Sequence, residues 1–335
     1  MREVDSRNSH DISVETALNS RCAGDADGDQ ARFHWGLFDV DADIPPEVFN
    51  ALGRGVQIPR FTYYPLDVNL EDIPVVFAMS AEAAGWDRKR LHVESGMQQQ
   101  AFHLVCAAFG VGTCVLNMGI EGKQLSESQW GTVRMDLHAM RPSYGDSFWT
   151  VEAPDDWVCD HGLPAPNRAG RMPLQKALEE IGTDAGGRGA ELQDLSQLLW
   201  AARGRTPHLA MGRRWGMTIP TWGGGQSIAS LYAVTGEGAF RYINSRDERA
   251  THALDPTGRP CNLLEPGDYA RVIMGINEDT GRACWEVGYM IENLLLQSAS
   301  LGIRYAAELL DEDASPAYEA GGIVSPLAML RVFRD

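Results

Sequence analysis

Two helix-forming stretches of this chain superimpose at a fixed separation of 192 residues, without a gap. The first reads ESGMQQQAFHLVCAAFGVG from Glu94 and the second EVGYMIENLLLQSASLGIR from Glu286. Glu94 falls on Glu286, Gly96 on Gly288, Leu104 on Leu296, Ala107 on Ala299 and Gly110 on Gly302. Met97, Ala101, Leu104, Val105 and Ala108 recur at helical spacing and share one face, which predicts a helix over 94–109. The second stretch predicts one over 286–301. Gly110 and Gly302 predict left-handed C-terminal stops. Residues 73–79 and 271–276, short apolar runs ahead of each helix, read as buried strands. A repeated strand–helix unit predicts two related halves about a pseudo-two-fold axis, the covalent version of a symmetric dimer.

Composition narrows what such a pair can do. A chain of 335 residues with 44% hydrophobic residues is long enough for two domains or one large one. Its net charge of −17 repels nucleic acid and anionic membrane, so neither is an expected partner. No window approaches the roughly 18 apolar residues that span a bilayer. The N-terminal stretch lacks a signal-peptide core, and a cytoplasmic location is expected. Six scattered cysteines form no CxxC and have no His at ligand spacing, which predicts reduced structural thiols and no metal site.

Four segments follow along the chain. Residues 1–30 are polar and Asp/Gly-rich and read as a mobile or peripheral arm. Residues 31–150 form a first half, which includes a further strand at 113–116. Residues 151–190, rich in Pro and Gly, read as a connector with a helix near 174–181. Residues 191–335 form the second half: a helix over 192–203, strands at 231–235 and 239–243 around Gly236-Glu237-Gly238, then the strand and helix of the repeat.

The repeated segment carries a resemblance. Glu286-Val287-Gly288 followed by Glu292-Asn293-Leu294-Leu295-Leu296, with Leu301-Gly302 closing it, resembles the central helix of the FMN-dependent nitroreductase superfamily. Gly110 to Gly119, reading GVGTCVLNMG, resembles that family's strand and the glycine loop that touches the flavin ring. Leu195 to Thr206, reading LSQLLWAARGRT, and Pro220 to Ser227, reading PTWGGGQS, are similar to segments of the streptolysin-type thiazoline/oxazoline dehydrogenase branch. The resemblance covers most of 191–335 and, more faintly, 60–145. It implies an α+β, nitroreductase-like fold, with two related α/β units forming an internal pseudo-dimer. The branch's N-terminal arginine phosphate motif and its Lys-Tyr pair are absent, and each half lacks elements that the other keeps.

The implied cofactor is FMN. Its dianionic phosphate calls for cations and backbone N–H groups, and Arg suits it by bidentate geometry. Arg203 and Arg205, with Arg141, are the candidate phosphate contacts; a solvated helix end is the plainer reading of the first two. Thr221, Gly223, Gly224, Gly225, Gln226 and Ser227 are candidates for the ribityl side, with a plain loop as the alternative. Asn117 and Gly119 are candidates for the ring edge. Asn293 faces FMN or caps a buried network, both readings being open. Tyr289 is core or a stacking residue, and His103 a core or interface residue. Complementary deficits in the halves imply one composite site per chain, with Tyr305 and Glu308 filling its counterpart.

The expected activity is hydride transfer between flavin N5 and an organic substrate, a modified peptide or other natural-product intermediate, with O2 or NAD(P)H as second substrate. A homodimer in addition to the internal pair stays open. The alternatives are a flavin-free or flavin-consuming member of the fold, or a degenerate non-catalytic scaffold that binds a partner.

Overall fold

The computed structural model describes residues 12–20, 62–64, 75–80, 88–108, 112–116 and 135–140. It also describes 153–335 apart from 155–156, 160–161, 182–185, 208–215, 222–227, 248, 260–261 and 312–314. The N-terminal part contributes α1 (Val14–Ser20), β1 (Thr62–Tyr64), β2 (Val75–Ser80), α2 (Arg88–Ala108), β3 (Gly112–Leu116) and β4 (Met135–Met140). The connector carries β5 (Val158–Cys159) and α3 (Leu174–Glu180). The C-terminal part begins with α4 (Leu192–Arg203), β6 (Arg205–Thr206), β7 (Gly216–Met217), β8 (Ala229–Thr235), β9 (Gly238–Arg246) and β10 (Arg249–Pro256). It ends with β11 (Asp268–Ile276), α5 (Gly281–Leu301), β12 (Tyr305–Leu309), α6 (Ser315–Ala320) and β13 (Pro326–Phe333).

Helix α5 is the axis of the molecule. Trp285, Val287, Tyr289, Met290, Leu294 and Leu296 are buried, and so is the polar stripe of Glu286, Asn293 and Gln297, so the helix is enclosed on all sides. It starts earlier than the apolar pattern suggests because Thr280 caps it, its hydroxyl accepting the Ala283 N–H at 3.3 Å. It stops at Gly302, which adopts φ 63°, ψ 35°, the left-handed stop expected from sequence. Helix α2 likewise begins ahead of Glu94, at Arg88, and Gly110 lies outside the described residues.

Helices α2 and α5, each 21 residues long, pack side by side. His92 meets Trp285, Val93 meets Gly288, Gly96 meets Trp285, and Gln100 bonds Asn293. These partners differ by between 189 and 195 residues, so the two helices run parallel, in register at the offset of the sequence repeat. The closest approach is through two glycines. A Cβ on Gly96 would run into the Trp285 carbonyl oxygen, and one on Gly288 into that of Val93. A shift of 192 residues converts the first contact into the second.

The sheets follow the same plan. One sheet has the order β1-β2-β4-β3, and the other β12-β13-β11-β8-β9-β10-β5. In both, the strand before the long helix (β2, β11) pairs with the second strand after it (β4, β13), which pairs with the first (β3, β12). β1 flanks β2 as β8 flanks β11. All pairings are antiparallel except that of β5 with β10. The second half adds β9 and β10; β10 stands between the expected hairpin and β11 and, like β13, lies outside the sequence expectations.

Two expectations change. Within the stretch read as a peripheral arm, residues 12–20 include a buried helix. Val14, Ala17 and Leu18 are fully buried, and Glu15 accepts hydrogen bonds from Gln297 and Ser300 of α5, each 2.7 Å. The connector is also more than a linker, since β5 extends the larger sheet and residues 164–167 bind α4.

Replacing Gly288 by Ala sets two effects in opposition. Helix propensity gains about 0.5–1 kcal/mol, whereas overpacking costs about 1–3 kcal/mol. The wall is backbone and cannot yield, so a net loss of melting temperature is expected for Gly288→Ala and Gly96→Ala. Gly236→Ala, with nothing within 4 Å of the added carbon, is the control and should be near neutral. Calorimetric or circular-dichroism melts of the three variants check this.

Candidate functional site

Helix α4 positions the first group of candidate residues. Its start is fixed by a reciprocal capping box between Glu191 and Asp194. Arg188 holds Asp194 with two bonds of 2.6 Å. Its end is fixed by Gly204, where any side chain would strike Trp200. Arg203 and Arg205 follow and turn inward, 6% and 4% exposed, against the plainer reading of a solvated helix end. The Arg203 guanidinium donates to the Ala229 carbonyl and Arg205 Nε to the Asn244 carbonyl at 3.1 Å, while Asn244 Nδ2 donates to the Arg203 carbonyl. Burial lowers the Arg203 pKa, with Glu286 opposing it. Arg168, Arg203 and Arg205 all act electrostatically on the buried Tyr242 phenol, whose pKa burial raises. The structure thus gathers three guanidinium groups in the interior of an acidic protein.

Beside them lies a closed polar chain. Ser196 Oγ donates to the Pro164 carbonyl at 2.5 Å, so its single proton is committed, and His252 Nε2, 2.7 Å away, must donate to it. His252 Nδ1 then accepts from the Tyr242 hydroxyl at 2.7 Å. Burial, followed by the Arg168 charge, holds His252 down to about 3, so it is neutral. A histidine with this tautomer cannot take a proton from Ser196, so the pair is not a nucleophile and its base. It fastens the connector to α4 and β10.

The second group lies on the helix pair. Asn293 Nδ2 donates to the Ala201 carbonyl at 2.8 Å and to the Thr218 carbonyl at 3.3 Å, and its Oδ1 accepts from Gln100 Nε2 at 2.8 Å. Of its two expected roles the structure shows the buried network, which joins α2, α4 and α5. The Tyr289 hydroxyl donates to Gln99 and its ring meets His103 edge-on at 6.3 Å, so both are packed core groups. One turn past Gly288, on the side that faces α2, Glu292 is 1% exposed and neither carboxyl oxygen has a hydrogen-bond partner. Burial pushes its pKa up to about 8.

Thr221 is half-buried at the end of its described segment. Gly223, Gly224, Gly225, Gln226, Ser227, Asn117, Gly119 and Arg141 lie outside the described residues. Tyr305 is half-buried on β12 and Glu308 exposed there. A groove of about 500 Å³ on the larger sheet is lined by Tyr232, Arg241, Asp255, Thr257, Glu319 and Ser325, none of them a candidate residue. Among the described residues no cluster of three or more His, Cys, Asp or Glu could hold a metal. No helix there is long and apolar enough to cross a membrane. Sequence reasoning passed over Arg168 and Glu292. The available signal for Glu292 was a carboxylate inside an apolar helix; the Pro-rich connector offered none for Arg168.

A candidate nitroreductase from Anabaena variabilis superimposes on 78% of this chain and 69% of its own, with a TM-score of 0.50 at 10% identity. The fold is nitroreductase-like. A candidate nitroreductase from Ralstonia eutropha is also similar, at 22% identity over 51% of this chain and 87% of its own, with a TM-score of 0.38. No family model matches the chain, and no curated protein does.

Within this nitroreductase-like core, Glu292 gives a pH test. Its pKa rises from 4.5 unfolded to about 8 folded, so the folded chain binds more protons between those values. Stability contributed by this group is present in full below 4.5 and declines as pH rises towards 8. Glu292→Gln removes that decline. The melting-temperature difference, variant minus wild type, should increase steadily from about pH 5 to about pH 8.

Proposed function

We propose that the chain is an FMN-dependent oxidoreductase whose two halves form an internal pseudo-dimer. The observation that carries this reading is the parallel α2–α5 pair in register at the repeat offset, set in a nitroreductase-like fold. The matching strand orders around it support a duplication. The substrate class is a modified peptide or other natural-product intermediate, with O2 or a nicotinamide as second substrate, as the streptolysin-type segments suggest.

The residues fit an anionic cofactor. Three inward guanidinium groups exceed the single carboxylate, Glu286, that opposes Arg203, and a phosphate supplies charge of the missing sign. Arg203 or Arg205 would hold that phosphate. The segment from Thr221 to Ser227 would line the ribityl side, with Asn117 and Gly119 at the ring edge. Bound flavin supplies a two-electron acceptor at N5. The chain's own part is to bind and orient, and to exclude water from the helix pair. One composite site per chain follows from the complementary deficits of the halves.

A non-catalytic scaffold is the second reading, favoured by one observation: the Arg203 guanidinium and the Asn293 amide already have protein partners. Reconstitution with FMN, read by the visible absorption of oxidised flavin, separates the two. About one flavin per chain is expected, and none supports the scaffold. Arg203→Ala with Arg205→Ala should weaken flavin binding by about tenfold or more, since a charged hydrogen bond contributes about 1.5–3 kcal/mol. A ratio of two, or unchanged affinity in the double variant, would contradict this assignment.

A further inference from the structure

We propose that the side-on edge of Arg168 is the receptor for an oxyanion, a carboxylate or phosphoryl group carried by a small molecule. The proposal goes beyond the flavin reading, which counts Arg168 among the inward guanidinium groups but assigns it no contact with the cofactor. Arg168 is 8% exposed, yet neither its Nε nor its Nη2 has a hydrogen-bond partner. Those two nitrogens form the edge of the guanidinium that chelates an oxyanion with parallel bonds. Elsewhere in this protein the same edge is filled. Arg331 Nε and Nη2 hold Asp268 Oδ1 at 3.0 and 2.8 Å. A buried donor pair left empty is costly, and a buried charge more so.

The surroundings offer no internal counter-charge among the described residues. The groups acting electrostatically on Arg168 are the Tyr242 phenol and the Cys159 thiol, and burial lowers its pKa. Glu15, packed against Gly170, accepts from Gln297 and Ser300 of α5 through Oε1, its Oε2 has no partner, and it is not among the groups that act on Arg168. Two indoles form the walls: the guanidinium carbon lies 4.7 Å from the Trp157 ring centre and 5.8 Å from that of Trp200. Trp157 is itself stacked on His252 at 5.7 Å, and Trp200 is tied by its indole N–H to the Arg205 carbonyl at 3.1 Å. Connector residues just ahead of Arg168 are fastened as well, Asn167 to Gln197 by two bonds and Pro164 to Ser196. The empty edge is therefore held in place before any anion arrives, which lowers the entropic cost of binding.

The test is the melting temperature of the full chain and its variants, titrated at constant ionic strength with inorganic phosphate, with acetate, or with chloride as reference. Wild type should be stabilised saturably by phosphate or acetate beyond the chloride reference. Arg168→Met, which keeps the stem between the indoles, should abolish that response and melt no lower than wild type in anion-free buffer, because an uncompensated charge has been removed. Arg168→Lys retains the charge but not the chelating edge, and should lose about tenfold in apparent affinity. FMN and riboflavin, compared on Arg168→Met, identify the source: a loss for FMN alone makes the oxyanion the flavin phosphate, and no loss for either makes it a separate ligand. Wild type indifferent to both anions, or Arg168→Met retaining their effect, overturns the proposal. So does Arg168→Met melting well below wild type without anion, since that assigns the guanidinium a structural role.

Discussion

Contact between two helix backbones at Gly96 and Gly288 sets the geometry of the rest. With no side chain at either position, carbonyl oxygens of the neighbouring helix occupy the space that a Cβ would take. The close approach brings Gln100 and Asn293 within hydrogen-bonding distance, and through Asn293 it reaches Ala201 at the end of α4. Helix α4 ends just beyond, at Arg203, and Arg203 and Arg205 are buried there. The buried end of α1 rests on the same pair through Glu15 and Gln297. Packing at one crossing thus decides where the polar chemistry of the molecule can lie.

The interior carries more polar groups than folding alone needs. Asn293 and Gln297 are bonded and together unite four helices, α1, α2, α4 and α5. Glu292 and Arg168 are not, and each orphaned group opposes folding. Burial answers differently for the two: a carboxyl group can keep its proton and become neutral, whereas a guanidinium cannot shed its charge in the accessible range. That asymmetry makes Glu292 a source of pH dependence and Arg168 a receptor for an anion.

How much was legible in the sequence depends on whether the signal was local. The offset of 192 residues located the helix pair, and Gly302 its stop, because periodicity and a left-handed glycine are properties of the segment itself. Helix α4 was placed from its apolar face. Starts were missed: Thr280 caps α5 from outside the apolar pattern, and Arg88-Lys89-Arg90 gives α2 a polar first turn. Strands β10 and β13 owe their existence to neighbours distant in sequence, as does the buried α1, whose seven residues are too few for a convincing period. At the candidate site, the arginines were found as a cluster in sequence, but their inward orientation comes from Ala229 and Asn244 on other strands. Arg168 drew no attention because its two indole walls come from Trp157, across the connector, and from Trp200 on α4.

The central claim, that α2 and α5 are paired in parallel and in register, can be measured as an energy. A double-mutant cycle on Gln100→Ala and Asn293→Ala, read by denaturant unfolding, isolates the hydrogen bond that joins them at 2.8 Å. Residues in direct contact couple by about 0.5–3 kcal/mol, whereas independent sites add within about 0.3–0.5 kcal/mol. A coupling above about 0.5 kcal/mol is the predicted result. Strict additivity of two individually destabilising variants would contradict the pairing, and with it the pseudo-dimer on which the functional reading stands.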